Sequence, residues 1–334
     1  MWYLAIFIVL QSFYNCKAIQ ADVLFSPILN LVENDFQEPI DQEVKILLLI
    51  GAAKAGSSFL YSLLSSSTSI VGGNVKEPHL LDSIEQISTR RYLSSWRQGT
   101  AKSTWLIDGT PENLYYPISA LRANVLMNMG VKVKAVAILR NPVERAYSEW
   151  CMLHFRCRKL KLQELFKRAG VYTSWHDLYC RPFSILLEEE LSALHRSNCT
   201  IQETRSPNEY IKCFGNHVKC YSKRVKNNTL CHKHHLKVHS AKHVRSVFDI
   251  ATGMITKGNY EPQIKMWKKS IGEDNLLVIQ MSDLRNISYL ETSISKLLAT
   301  DIRLKALKKS KTNVGRYARS LTERQTLKYA KLWT

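Results

Sequence analysis

Long apolar runs are missing from this sequence of 334 residues. None reaches the ~18 residues of a membrane-spanning helix, which excludes a polytopic membrane protein. Internal repeats and low-complexity tracts are missing too, which excludes a collagen-like chain and a coiled coil. Hydrophobic residues make up 45% and charged residues 22% of the chain, and these ordinary values exclude a disordered protein.

Acidic residues are scarce relative to basic ones. There are 28 Asp and Glu against 47 Lys and Arg, which gives a formal net charge of +19. Such an excess favours an anionic partner, which includes nucleic acid, an acidic polysaccharide, a membrane surface and a phosphorylated cofactor. A basic surface that serves only solubility is the alternative.

Cysteine is absent from most of the chain. Apart from Cys16, all cysteines fall within one stretch: Cys151, Cys157, Cys180, Cys199, Cys213, Cys220 and Cys231. This clustering predicts local disulfides with one thiol left over. No CxxC pair is present and the Cys–His spacings match no standard zinc finger, so structural zinc is the less favoured interpretation.

The N-terminus indicates a secretory route. Residues 2–10 (WYLAIFIVL) are apolar and are followed by small residues, without a basic residue before them. We therefore expect residues 1–21 to be a signal peptide or a short signal-anchor, and the polar residues 22–43 to be a stem. Asn-x-Ser/Thr sequons at Asn198, Asn227 and Asn286 fit the same route.

Strand-like and helix-like segments alternate along the rest of the chain. Runs rich in branched apolar residues predict strands over 44–50, 104–108, 133–139 and 276–281. A helix is predicted from Ser57 or Ser58, and Asn141-Pro142-Val143-Glu144 is typical of a helix start. The pattern predicts one P-loop-like α/β domain over 44–334, with a central parallel sheet flanked by helices. Residues 151–256 are interpreted as a cysteine-rich basic insertion.

The loop after the first predicted strand reads GAAKAGSS over residues 51–58. A glycine-bearing turn from a strand into a helix N-terminus suits phosphate, because backbone N–H groups point inward there. Its candidate phosphate ligands are Lys54, Ala55, Gly56, Ser57 and Ser58. Lys54 precedes the second glycine, so the Walker pattern is not met, and this disfavours a P-loop kinase. An ordinary strand–turn–helix joint is the alternative.

A second candidate phosphate site follows the predicted strand 133–139. Arg140 lies at the carboxyl end of that strand, where ligands of open α/β sheets bind, and its guanidinium offers a planar fork to phosphate. Ser148 lies two turns into the following helix and adds a hydroxyl. Together with the first loop, this indicates a ligand with two separated phosphate groups. A surface arginine beside a capped helix is the alternative.

Four segments resemble one enzyme family. KILLLIGAAKAGSSFLYSLL resembles the 5′-phosphosulfate loop of sulfotransferases that use 3′-phosphoadenosine 5′-phosphosulfate (PAPS), and AVAILRNPVERAYSEW is similar to their 3′-phosphate strand and helix. VKEPHLLD resembles the segment with the catalytic glutamate in Golgi glycosaminoglycan sulfotransferases. KGNYEPQIKMWKKSIGEDNLLVIQMSDL looks like their later helix, strand and acidic turn. The combination looks closest to the chondroitin/dermatan GalNAc 4-sulfate 6-O-sulfotransferase branch.

This resemblance implies an activity and a set of site residues. The chain would transfer the sulfuryl group of PAPS to a carbohydrate hydroxyl, with Glu77 as base and Lys54 stabilising the leaving phosphate. Lys76 and His79 would contact the acceptor, while Lys311 and Arg316 lie where the family has a second nucleotide-contacting segment. Lysine, arginine and backbone dipoles supply positive charge, so no metal is expected.

The expected partner is an acidic or sulfated glycan in the Golgi lumen. We expect no nucleic acid partner, and membrane contact only through the possible N-terminal anchor. Two alternatives stay open at this point. One is a non-catalytic secreted protein that binds polyanions, and the other is a tyrosylprotein sulfotransferase.

Overall fold

The structure is a computed structural model that describes residues 32, 35–36, 38, 40, 43–83, 86–96, 104–159, 182–197, 199–213 and 253–305. The predicted signal segment 1–21, Asn198, Asn227, Lys311 and Arg316 lie outside these residues. Among the helices within them, none is long and apolar enough to cross a membrane.

The described residues form a chain of alternating strands and helices. The strands are β1 (Lys45–Gly51), β2 (Ile70–Gly72), β3 (Trp105–Asp108), β4 (Lys132–Leu139) and β5 (Leu276–Gln280). The α-helices are α1 (Ser57–Leu64), α2 (Thr89–Leu93), α3 (Pro117–Asn128), α4 (Pro142–Lys159), α5 (Phe183–Ser197), α6 (Tyr260–Ile271) and α7 (Ile287–Leu298).

All strand pairs are parallel, and the sheet order is β2-β3-β1-β4-β5. The connection after β1 leads to the β2 edge, whereas the connection after β4 leads to the β5 edge. In open α/β sheets such a divergence leaves a crevice at the carboxyl ends of the strands, where ligands bind. The predicted α/β domain with a central parallel sheet is confirmed.

The core lies on both faces of this sheet. Residues 46–50 of β1 are fully buried, as expected for a central parallel strand covered by helices on each face. Trp267 of α6 is also fully buried, and its Nε1 donates a hydrogen bond to the Asn113 carbonyl at 3.2 Å.

Sequence patterns located strands β1, β3, β4 and β5 and the starts of helices α1 and α4. The start of α4 agrees with the predicted cap, because Asn141 Oδ1 accepts hydrogen bonds from the N–H groups of Val143 and Glu144 at 3.0 and 3.2 Å. Strand β2 was not predicted, since three residues show no periodicity. Helix α3 was not predicted either, because its buried residues do not form a single stripe.

Part of the predicted insertion 151–256 is described. Helix α4 continues through residue 151 to Lys159, and α5 follows, with Phe183, Leu186 and Leu187 in a second hydrophobic cluster. Cys199 and Cys213 form a disulfide, which confirms the expectation of a local disulfide. Cys151 is buried and is not in a disulfide.

Candidate active site

The loop after β1 is held close to the chain that follows β3. Gly51 and Gly56 have φ values of 142° and 99°, which favour glycine. A Cβ on Gly51 would lie 2.4 Å from the Pro111 carbonyl oxygen, and a Cβ on Gly56 would lie 2.5 Å from Leu284 Cδ1. Tight packing therefore explains why glycine occupies both ends of this loop.

The same loop leads directly into α1, which begins at Ser57. The first N–H groups of a helix have no partner within the helix, and they form the positive end of its dipole. No acidic side chain lies in the first turn of α1 to offset that charge. The structure thus keeps the predicted phosphate ligands of residues 54–58 together at a helix N-terminus, an arrangement suited to an anion.

Lys54 is the cation of this loop. Its backbone is left-handed, with φ 69°, and its Nζ lies 3.4 Å from Met152 Sδ on α4. A half-buried lysine beside a helix N-terminus adds a positive charge to the N–H groups of that helix end.

Arg140 adjoins the loop from the end of β4. Its Nη1 donates a hydrogen bond to the Lys54 carbonyl at 3.1 Å, and its Nε lies 3.3 Å from Glu144 Oε2. The Tyr260 hydroxyl donates to the Arg140 carbonyl at 2.9 Å, so the start of α6 contacts the end of β4. The two predicted phosphate-binding elements are therefore in direct contact, and Ser148 lies half-buried further along α4.

Residues after β2 bring a charged segment to the same edge of the sheet. Gly109, just after β3, donates its N–H to the Lys76 carbonyl at 2.9 Å. The His79 N–H donates to Thr110 Oγ1 at 3.4 Å. These contacts place the KEPH segment beside the chain that leaves β3.

Ionic contacts order the side chains of this segment. Lys76 Nζ contacts Glu77 Oε1, and His79 Nε2 lies 3.6 Å from Glu77 Oε2. The other ring nitrogen of His79, Nδ1, lies 2.8 Å from Oδ2 of the buried Asp82. Lys76, Glu77 and His79, which the sequence singled out, are thus brought together.

Opposite charges fix the protonation states of this cluster. Burial alone would raise the pKa of Glu77, but the hydrogen bond to His79 and the charge of Lys76 outweigh it and lower that pKa to about 2. Burial would lower the pKa of His79, but its hydrogen bonds to Asp82 and Glu77 raise it to about 11. At neutral pH Glu77 is a carboxylate and His79 an imidazolium.

A second carboxylate, Glu112, faces the cluster from the 3₁₀ helix Pro111–Leu114. An oxygen of Glu112, an oxygen of Glu77 and a ring nitrogen of His79 lie within 4.8 Å of one another. We do not assign them as metal ligands, because Lys76 and His79 already supply positive charge to the carboxylates. That the reaction needs no metal stays a prediction.

A buried ionic network lies behind Glu112. Arg145 is fully buried, and it donates to Glu149 Oε2 and to the Met254 carbonyl, both at 2.6 Å. Lys257 Nζ donates to Glu149 Oε1 at 2.7 Å. Burial would lower the pKa of Lys257, but the negative charges of Glu149 and Glu112 raise it, so Lys257 stays cationic.

The sequence analysis assigned no role to Asp82, Glu112, Glu149 or Lys257. Asp82 lies within the VKEPHLLD segment, three residues after His79, so its position was available from the sequence. Glu112 follows a predicted strand end, where site residues of α/β folds gather. Lys257 and Glu149 are 108 residues apart, and no local pattern links them.

Comparison with known proteins gives a fold likeness only. The sequence matches no protein-family model and no curated protein. Among solved structures, the fold is similar to that of a sulfotransferase from Alicyclobacillus acidocaldarius, with 16% sequence identity and a TM-score of 0.45. The match covers 81% of this chain and 87% of that chain.

Proposed function

We propose that this chain transfers the sulfuryl group of PAPS to a hydroxyl of a carbohydrate, with adenosine 3′,5′-bisphosphate as the second product. The observation that carries the proposal is the 3.1 Å hydrogen bond from Arg140 Nη1 to the Lys54 carbonyl. It joins two phosphate-binding elements at one sheet edge. A nucleotide with phosphates at both the 5′ and 3′ positions suits such a pair.

Each end of the nucleotide has its own set of residues. Lys54 and residues 55–58 bind the 5′-phosphosulfate, while Arg140 and Ser148 bind the 3′-phosphate, with Lys311 and Arg316 as further nucleotide contacts. Negative charge builds on the 5′-phosphate as the sulfur–oxygen bond breaks. Lys54 and the α1 N-terminus stabilise that charge.

The acceptor lies against the cluster of Lys76, Glu77 and His79. Its hydroxyl oxygen attacks sulfur in line with the departing phosphate oxygen, and Glu77 takes up the hydroxyl proton as the new bond forms. Glu77 suits this task because it is ionised at neutral pH. Lys76 and His79 orient the acceptor and pair with its anionic groups.

Charge supports a polyanionic acceptor, and the resemblance of the VKEPHLLD and KGNY segments supports the type of glycan. A formal charge of +19 suits a polyanionic chain, and we propose a glycosaminoglycan of the chondroitin/dermatan type. The working compartment is the Golgi lumen, with membrane contact through the N-terminal segment alone and no nucleic acid partner.

A transfer assay tests this function. The full chain is incubated with labelled PAPS and with chondroitin, dermatan, heparan or a tyrosine-containing peptide. We expect transfer to a glycan, and about a 100-fold loss of turnover in both Lys54→Ala and Glu77→Gln. Glu77→Gln retains nucleotide binding, whereas Lys54→Ala weakens it. Lys265→Ala, which removes an exposed ion pair on α6, is the matched control and keeps full activity.

Two outcomes contradict the proposal. Label that appears only on the peptide indicates a tyrosylprotein sulfotransferase. Salt-sensitive binding to the glycans without any transfer indicates a non-catalytic polyanion-binding protein.

A further inference from the structure

Two glutamates face each other in this site, and their surroundings differ. Glu77 contacts Lys76 and lies 3.6 Å from His79 Nε2. Within the described part of the chain no cation forms an ion pair with Glu112, although a ring nitrogen of His79 lies within 4.8 Å of it. The charge of Glu77 is neutralised by direct contacts, whereas Glu112 is largely shielded from water and has no direct counter-ion among the described residues.

This difference in surroundings gives the carboxyl groups of Glu77 and Glu112 different pKa values. The pKa of Glu77 is lowered to about 2, so this carboxylate does not retain a proton at neutral pH. Burial raises the pKa of Glu112 to about 7, even though Lys257 and His79 act to lower it. Two neighbouring carboxyl groups whose pKa values differ this much take different roles in acid–base chemistry.

We propose that Glu112 is the terminal proton acceptor of this site, to which Glu77 passes on the proton that it takes from the acceptor hydroxyl. The inference rests on the proposed function. The hydroxyl oxygen forms the new bond to sulfur, and the bridging sulfur–oxygen bond breaks with its electron pair on the leaving phosphate. The proton passes to Glu112 and then to water after the products leave.

The charged groups around Glu112 come from two segments. Glu77, His79 and Asp82 face it from the chain after β2, and Lys257 faces it from the 3₁₀ helix before α6. Glu77 and His79 do not titrate between pH 5 and 9, since their pKa values are about 2 and about 11. Asp108, buried at the end of β3, also titrates in this range, because burial raises its pKa to about 6. A change in activity near pH 7 is therefore assigned to Glu112 where Glu112→Gln removes it.

The pH dependence of turnover tests this assignment. In the full chain we expect kcat to fall about tenfold per pH unit below pH 7, because the protonated form of Glu112 cannot accept a proton. Glu112→Gln removes this dependence and lowers kcat at pH 8 by at least about tenfold. Glu112→Asp restores the dependence. Glu261→Gln, an exposed glutamate paired with Lys265, leaves the profile unchanged.

A second measurement does not depend on activity. With ¹³C-labelled glutamate carboxyl groups, nuclear magnetic resonance of the full chain should show one glutamate that titrates near pH 7. Glu112→Gln removes that signal and Glu261→Gln retains it. If Glu112→Gln fails to fold, two other measurements test the role of Glu112. These are the titration of the wild-type carboxyl signal and the pH dependence of kcat in Glu112→Asp.

The outcomes separate this inference from the proposed function. If wild type transfers sulfate and Glu112→Gln keeps the pH dependence, the role of Glu112 is overturned and the proposed function stands. If wild type transfers sulfate to no acceptor, the proposed function fails and the proton path fails with it.

Discussion

Glu77 and Glu112 differ in their pKa values because their surroundings differ. Glu77 is held ionised by Lys76 and His79, whereas Glu112 is desolvated beside the same imidazolium. His79 in turn depends on Asp82, whose carboxylate lies 2.8 Å from its Nδ1. Removing one member therefore changes the protonation of the others.

Glu112 also predicts a pH-dependent effect on stability. Its pKa in the folded chain, about 7, lies above the ordinary value of 4.5, so the folded state holds the proton more tightly than the unfolded state. Its contribution to stability thus declines as the pH rises from about 4.5 to about 7, and a neutral glutamine lacks this decline. We expect the Tm of Glu112→Gln relative to wild type to rise by about 2–4 °C between pH 5 and pH 8.

Differential scanning calorimetry at the two pH values measures this shift. Glu261→Gln serves as control, with a Tm difference from wild type that is much less dependent on pH. A Tm difference for Glu112→Gln that stays constant from pH 5 to pH 8 contradicts the raised pKa.

At the scale of elements, buried polar contacts fix the segments that carry the site. Arg122 of α3 is fully buried, and its guanidinium donates to Asp35 Oδ2 at 2.7 Å. It also donates to the carbonyls of Leu80 and Leu81 at 3.1 and 3.0 Å. Helix α3 therefore anchors the chain that leads from His79 to Asp82.

Two glycines provide a matched test of the β1–α1 loop. Gly56 and Gly130 both have positive φ values, 99° and 90°, so alanine strains the backbone at either position. A Cβ at Gly56 would meet Leu284 at 2.5 Å, whereas none of the described atoms lies within 4 Å of a Cβ at Gly130. We expect Gly130→Ala to cost about 1 kcal/mol and Gly56→Ala about 2–3 kcal/mol, because only Gly56→Ala adds overpacking.

Chemical denaturation measures both costs, and binding of adenosine 3′,5′-bisphosphate provides the functional readout. Gly56→Ala should weaken binding about tenfold or more, since the loop backbone shifts, while Gly130→Ala leaves binding unchanged. Equal effects of the two substitutions on binding would show that the β1–α1 loop does not contact the nucleotide.

At the scale of the whole molecule, local patterns predicted the parallel sheet and the strand–loop–helix joint that carries Lys54. A few consecutive residues of the sequence are enough to recognise three features. These are the buried strand β1, the loop with Lys54 and the helix cap at Asn141. The pairing of Glu149 with Lys257 has no such local signal, because the two are brought together only by the fold of the chain. Protonation states such as that of Glu112 depend on burial, which appears only after folding.

The parallel order of the strands also explains why distant segments meet. Residues after β1, β3 and β4 lie at one edge because parallel strands share a direction, and the Arg140–Lys54 contact spans 86 residues of sequence. The excess of basic charge over the whole chain favours an anionic partner.

Nucleotide binding by isothermal titration calorimetry tests the central claim most directly, with adenosine 3′,5′-bisphosphate compared against adenosine 5′-monophosphate. Wild type should bind the bisphosphate at least about tenfold more tightly, Arg140→Ala should abolish that preference, and Lys54→Ala should weaken both nucleotides. If Arg140→Ala binds the bisphosphate as tightly as wild type does, the two cationic elements do not share one nucleotide and the account is contradicted.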